Sequence, residues 1–230
     1  MKNIKTLVVS AILGLAALNT MAGTAHATLV TYNFSGTSVT DTTGMPIAAT
    51  FFFGQSVSGS FVLDTSVGDS SGDPNVGDFL GAIISINVTV GGYSASATGG
   101  NAFTQNDFPD DAVAIAAFVN DGPFDGSASV SGASVGGLDL GGIIITLQDS
   151  TLSALTSDAL PSPISLSPFD SVFGTLEFYD PLDQRGDPTS LVFFLESFDT
   201  VAQISETGTL AMFSLGLAGL GYARRRKAPA

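Results

Sequence analysis

The sequence predicts an all-β protein, a β-sandwich of jelly-roll type with about ten strands. Three observations carry that expectation. Apolar residues recur at every second position in short runs, and Gly, Asp, Asn and Pro separate the runs at short intervals. No stretch sustains the apolar stripe of an amphipathic helix, although residues 151–160 leave room for a single helical turn.

The runs follow one another along the middle of the chain. Val30, Tyr32, Phe34 and Gly36 alternate with Thr31, Asn33, Ser35 and Thr37, the period of a half-buried strand. The same alternation returns in Val57, Gly59, Phe61 and Leu63, then in Ile84, Ile86, Val88 and Val90. Val113, Ile115, Ala117 and Val119 make another such face, as do Ile143, Ile145 and Leu147. Residues 51–53, 172–179 and 191–198 are denser in apolar side chains, which predicts strands covered on both sides. Turn signals fall between the runs at Phe53-Gly54-Gln55, Gly91-Gly92, Asp121-Gly122-Pro123 and Asp187-Pro188. An outer-membrane barrel is the competing architecture. It needs aromatic girdles and a terminal strand, whereas this chain has no Trp and ends in a basic tail. No long repeat is visible, so one domain over 28–204 accounts for the strands.

Residues 1–27 have the three parts of a secretory signal helix. Lys2 and Lys5 supply the positive start, and residues 6–18 are an uncharged, mostly apolar run too short for a membrane span. Ala25 and Ala27 then place small residues at the two positions a signal peptidase reads, so the mature chain is expected to begin at Thr28.

Charge excludes several functions. Between residues 28 and 206 the only basic residue is Arg185, set against all 21 acidic residues, for a net charge of −20. Such a surface repels nucleic acid and attracts divalent cations. The same segment has no Lys, His, Cys or Trp. Thiol chemistry, Ser-His-Asp catalysis and the common zinc sites are therefore excluded from it.

Carboxylates are the remaining chemistry. Glu177 and Glu196 fall on two strands expected to pair, the arrangement a glycosidase pair would need. Ordinary alternation explains both as solvent-facing positions, and without a Trp platform no catalytic residue is assigned. Aspartate is more abundant, with 18 in the chain, and it gathers in turns. Asp69, Asp73, Asn75 and Asp78 share one loop, Asp107, Asp110 and Asp111 a second, and Asp180, Asp183 and Asp187 a third. Calcium takes about six to eight oxygens from such loops, which makes Asp69, Asp73, Asp78, Asp180, Asp183 and Asp187 its candidate ligands. None fits an EF-hand, and Asp also favours turns for its own backbone hydrogen bonds. Arg185 beside Asp183 and Asp187 reads as a local ion pair. A regular Thr-x-Thr ladder, which an ice-binding face would need, is absent along the chain.

The C-terminus carries the most specific signal. Residues 208–223 are uncharged and apolar or small throughout. As a helix they span roughly 24 Å, against about 30 Å of hydrocarbon. Tyr222 and the cluster Arg224, Arg225, Arg226 and Lys227 extend that reach to the interface, with the basic end on the cytoplasmic side. This order of motif, Gly/Leu-rich helix and Arg-rich end resembles the PEP-CTERM tail of Gram-negative exported proteins. The match is close at Gly208-Thr209-Leu210-Ala211 and over 215–221, while Ser205-Glu206-Thr207 stands where the family has Pro-Glu-Pro. The segments starting at Phe34 and Gly54 also resemble the opening of many such proteins, which implies no activity.

The resemblance implies that residues 205–230 are a sorting tail, cut near Ser205, Glu206 and Thr207 by an exosortase in the inner membrane. It also implies a setting of exopolysaccharide production. The resulting expectation is a non-enzymatic surface or extracellular-matrix protein that meets exopolysaccharide, with calcium as the candidate ion. A calcium-dependent carbohydrate-binding module and a glycan-active hydrolase using Glu177 and Glu196 are the alternatives.

Overall fold

Alternating apolar and small polar residues suit a strand buried on one face only. The computed structural model, which describes residues 29–107, 109–119, 128–182 and 187–201, forms eleven strands from them. In chain order these are β1 (Leu29–Ser38), β2 (Ser56–Asp64), β3 (Val76–Phe79) and β4 (Ile83–Val90). There follow β5 (Tyr93–Thr98), β6 (Asn101–Gln105), β7 (Asp111–Phe118) and β8 (Ser129–Gly132). The last three are β9 (Asp139–Asp149), β10 (Ser171–Tyr179) and β11 (Thr189–Val201). All pair antiparallel in one sheet, ordered β3-β6-β7-β9-β10-β11-β1-β2-β4-β5-β8. The all-β class is the one the sequence predicts.

The sheet is continuous and curled, so that β4 and β5 come close to β7 and β9 across the core. Its inward face carries Tyr32 and Phe34 of β1, Phe61 and Leu63 of β2, Ile143, Ile145 and Leu147 of β9, and Phe193 of β11, all nearly or wholly buried. Burying a side chain of this size contributes about 1.5–3 kcal/mol. An aromatic cluster joins three strands: the Tyr32 and Phe61 rings stack with centroids 4.8 Å apart, and Phe198 lies 5.1 Å and 5.6 Å from them.

Two non-strand segments complete the core. Residues 39–55, between β1 and β2, include a short 3₁₀ helix (Pro46–Ala49) and bury Ile47 and Phe51. Phe51 meets the rings of Tyr93 and Phe178. Residues 150–170, between β9 and β10, bury Leu155 and Ile164, and the Ile164 amide donates to the Tyr32 hydroxyl at 3.0 Å. Burial, partly offset by that bond, raises the Tyr32 pKa.

Several details differ from expectation. Residues 51–53 are a turn, not a covered strand: Phe51 is buried, whereas Phe52 and Phe53 are 61% and 69% exposed. Runs 172–179 and 191–198 do form strands, but they alternate, with Phe194 half exposed between buried Phe193 and Leu195. In β4 an irregularity opposite Val62 and Leu63 turns Ile83 inward and leaves Ile84 exposed. Val119 is likewise exposed at the end of its run. Residues 151–160 hold turns and bends without a helix.

The strands lie in one compact unit bounded by Thr28 and Gln203. The signal segment with Ala25 and Ala27, the turn at Asp121-Gly122-Pro123, and Asp183 and Arg185 lie outside the described residues, as does the tail with Ser205, Glu206 and Thr207. Among the described residues, no helix is long and apolar enough to cross a membrane.

Candidate functional site

Register decides what the outward face of the sheet presents. Because side chains alternate, burying Tyr32 and Phe34 turns Thr31, Asn33, Ser35 and Thr37 out, and each neighbouring strand does the same. Cross-strand pairing then aligns these residues into rows. One row runs Asp199, Asn33, Ser60, Asn87, Ser96 and Ser131 across β11, β1, β2, β4, β5 and β8. The next runs Ser197, Ser35, Ser58, Thr89 and Ser94. Ser35 and Ser197 share a hydrogen bond of 2.7 Å between their Oγ atoms. Where β4, β5 and β8 meet, Asn87, Thr89, Ser94, Ser96 and Ser131 line an open groove of ≈ 530 Å³.

This face is uncharged over most of its width. The only charged residue in β1, β2, β4, β5 and β8 is Asp64, at the end of β2. Toward β10 and β11 the face becomes aromatic: Phe173 and Phe194 are direct cross-strand partners, and Phe194 is 50% exposed. A bulge beside them leaves Glu196 unpaired in the β1–β11 register, and its Oε1 accepts from the Thr37 hydroxyl at 2.9 Å. Gly36 sits opposite because a Cβ there would collide with the Phe194 carbonyl.

The two glutamates weighed as an acid-base pair do not come together. Glu177 pairs with Ser190, and Glu196 lies six residues further along β11, about 20 Å away at strand spacing. Glycosidase pairs sit about 5–10 Å apart. Glu177 instead accepts from the Tyr179 hydroxyl at 2.6 Å. The Tyr179 pKa is raised, first by burial and then by this neighbour.

The acidic loops are tied into their own turns. Asp69 Oδ1 accepts from the amides of Ser71 at 2.8 Å and Asp78 at 2.7 Å. Asp73 accepts from Asn75, and Asp180 from Leu182, in the same two-residue pattern. Asp187 lies just before β11. Among the described residues, no three Asp, Glu, His or Cys side chains gather as metal ligands would. Asp78 Oδ1 is shielded from solvent and has no hydrogen-bond partner.

A scan against protein-family models finds no match to this chain, and searches of curated proteins and of solved structures return none.

Sequence reasoning missed a pair of carboxylates and the rows. Asp111 and Asp149 face each other across β7 and β9, both buried and both spent on backbone amides. Their role is to hold loops in place. The rows are different, because their hydroxyl and amide groups point into solvent. Each Ser or Thr hydroxyl offers one donor and two acceptor lone pairs, and Asn offers both kinds of group. A surface of this chemistry exchanges hydrogen bonds with another polyol without ion pairing.

Proposed function

We propose that this chain is a non-enzymatic exported protein of the cell surface or extracellular matrix, associated with exopolysaccharide and sorted through its C-terminal tail. The observation that carries this is the tail itself. An uncharged stretch over 208–223 with the Leu/Gly pattern of 215–221 ends in Arg224, Arg225, Arg226 and Lys227. With the signal segment ahead of Thr28, positive-inside orientation puts the acidic domain outside the inner membrane. The finer architecture belongs to this proposal too: the two halves of the curled sheet, facing each other across one core, act as the layers of a jelly-roll-type sandwich.

The distance between Glu177 and Glu196 disfavours the hydrolase alternative. A calcium-dependent carbohydrate module is the second reading, favoured by the unpartnered Asp78 Oδ1 next to Asp69. Backbone and water oxygens would have to complete that coordination shell.

Mass spectrometry of the protein recovered from the surface fraction tests the sorting. The expected product begins at Thr28 and ends between residues 205 and 207. An intact end at Ala230 would mean a permanent anchor, and an intact Met1 would mean that no signal was removed.

A further inference from the structure

We propose that the outward face of β11, β1, β2, β4 and β5 is the contact surface for polysaccharide, and that the chain it takes is extended and uncharged. The inference rests on the polysaccharide-associated reading above and assigns that reading its surface and ligand class.

Charge is the first argument. Most of the domain's carboxylates lie in loops or at strand ends, with Glu177, Glu196 and Asp199 inside β10 and β11, so a polyanionic glycan would be repelled from almost every approach. The rows through Asn33 and Ser35 meet charge only at their β11 end, where Asp199 and Glu196 stand, since β1, β4 and β5 hold no charged residue. Exposed strand faces of soluble proteins ordinarily mix charges of both signs into such positions. Here small hydroxyls and amides fill them across adjacent strands.

Chemistry is the second argument. A neutral sugar chain presents hydroxyls that both donate and accept, with the apolar C–H faces of its rings between them. The rows match the first property, and the half-exposed Phe194 ring, partnered by Phe173, matches the second. Both lie on one outward surface, since Phe194 pairs with Thr37 and Ser197 with Ser35. Five strands present about 19 Å of continuous rows, the form of a linear polymer rather than a small molecule. The sheet holds these groups in place before binding, which limits the ordering cost of association.

Affinity electrophoresis of the secreted protein tests the assignment. Three gels contain hydroxyethyl cellulose as an uncharged probe, alginate as a polyuronate, or the polymer extracted from the producing strain. Mobilities are compared with a polymer-free gel, so that added charge is corrected for. Hydroxyethyl cellulose and the native polymer should retard the protein, and alginate should not. Phe194→Ala and Asn87→Asp should each weaken retardation about tenfold, equivalent to roughly 1.4 kcal/mol. Both positions are well exposed, and Ser66→Ala, exposed but off the face, serves as the control. Ser60→Glu is the harsher variant of the same row.

Equal retardation of the wild type, Phe194→Ala and Asn87→Asp overturns the face while the polysaccharide association stands. No retardation by the native polymer overturns both. Retardation by alginate overturns the ligand class. A dimer that these substitutions dissociate, in a protein that ignores all three polymers, would make the face a contact between copies of this chain.

Discussion

Replacing Phe61 by alanine should lower the unfolding free energy by about 3–5 kcal/mol. Phe61 is wholly buried on β2 between β1 and β4, where its ring stacks on Tyr32 and lies against Phe198. Three strands meet at that ring, so its removal leaves a space that the paired backbones cannot close. The loss is a large part of the roughly 5–15 kcal/mol that a folded domain holds in reserve. Phe194→Ala deletes a ring of the same size from the outward face and should cost no more than about 0.5 kcal/mol. Urea denaturation of the two variants checks the pair. A Phe61→Ala loss below that of Phe194→Ala would mean that the aromatic cluster is not where the core is concentrated.

The second large effect concerns Asp111 and Asp149. Asp111 accepts from the amides of Asp107 at 2.9 Å and Leu155 at 2.8 Å, and so joins β7 to the segment that seals the core. Asp111→Ala strands two amides, one of them buried, and should cost about 2–4 kcal/mol. Asp149 accepts from Thr151, Ser153 and Ala154 through both carboxylate oxygens. The Thr151 hydroxyl, followed by the Ser153 and Thr151 amides, holds its pKa well below the usual carboxylate value of 3.8. A depressed folded-state pKa adds stability that is present above the unfolded value and lost as pH falls through the folded one. The loss therefore lies below about pH 4. Thermal melts should show a steep acid limb in the wild type and a shallower one in Asp149→Asn. Identical acid limbs would contradict that role.

The sequence and the structure agree where side-chain contrast is strong. β1 and most of β2 are legible because large apolar residues alternate with Ser, Thr or Asn, and the buried set includes Tyr32, Phe34, Phe61 and Leu63 as their spacing predicts. β5 and β8 are less legible. Ala95 and Ala97 line the buried side of β5, and β8 is Ser-Val-Ser-Gly, so neither has much hydrophobic contrast. Phe52 and Phe53 mislead for the opposite reason, being large, apolar and exposed in a turn. The Ile83–Ile84 exchange needs an irregularity that only pairing with β2 creates.

The outward rows escape a linear reading altogether. Asn33, Ser60, Asn87 and Ser96 are far apart in the chain, and only register sets them side by side. A search for Thr-x-Thr along one strand looks in the wrong direction for such an array. The turn role of the aspartates was visible in composition, and Asp69, Asp73 and Asp180 are bonded in that way. The buried pair at 111 and 149 was not, because its partners are main-chain amides of loops whose path the sequence does not reveal.

The central claim, that this is an exported protein held by extracellular polysaccharide, has one direct measurement. The protein is quantified on the cell surface and in the medium of a polysaccharide-producing strain and of the same strain unable to make the polymer. The account predicts retention with the producing cells and release of the same processed protein into the medium of the deficient ones. Equal retention by both strains would contradict it.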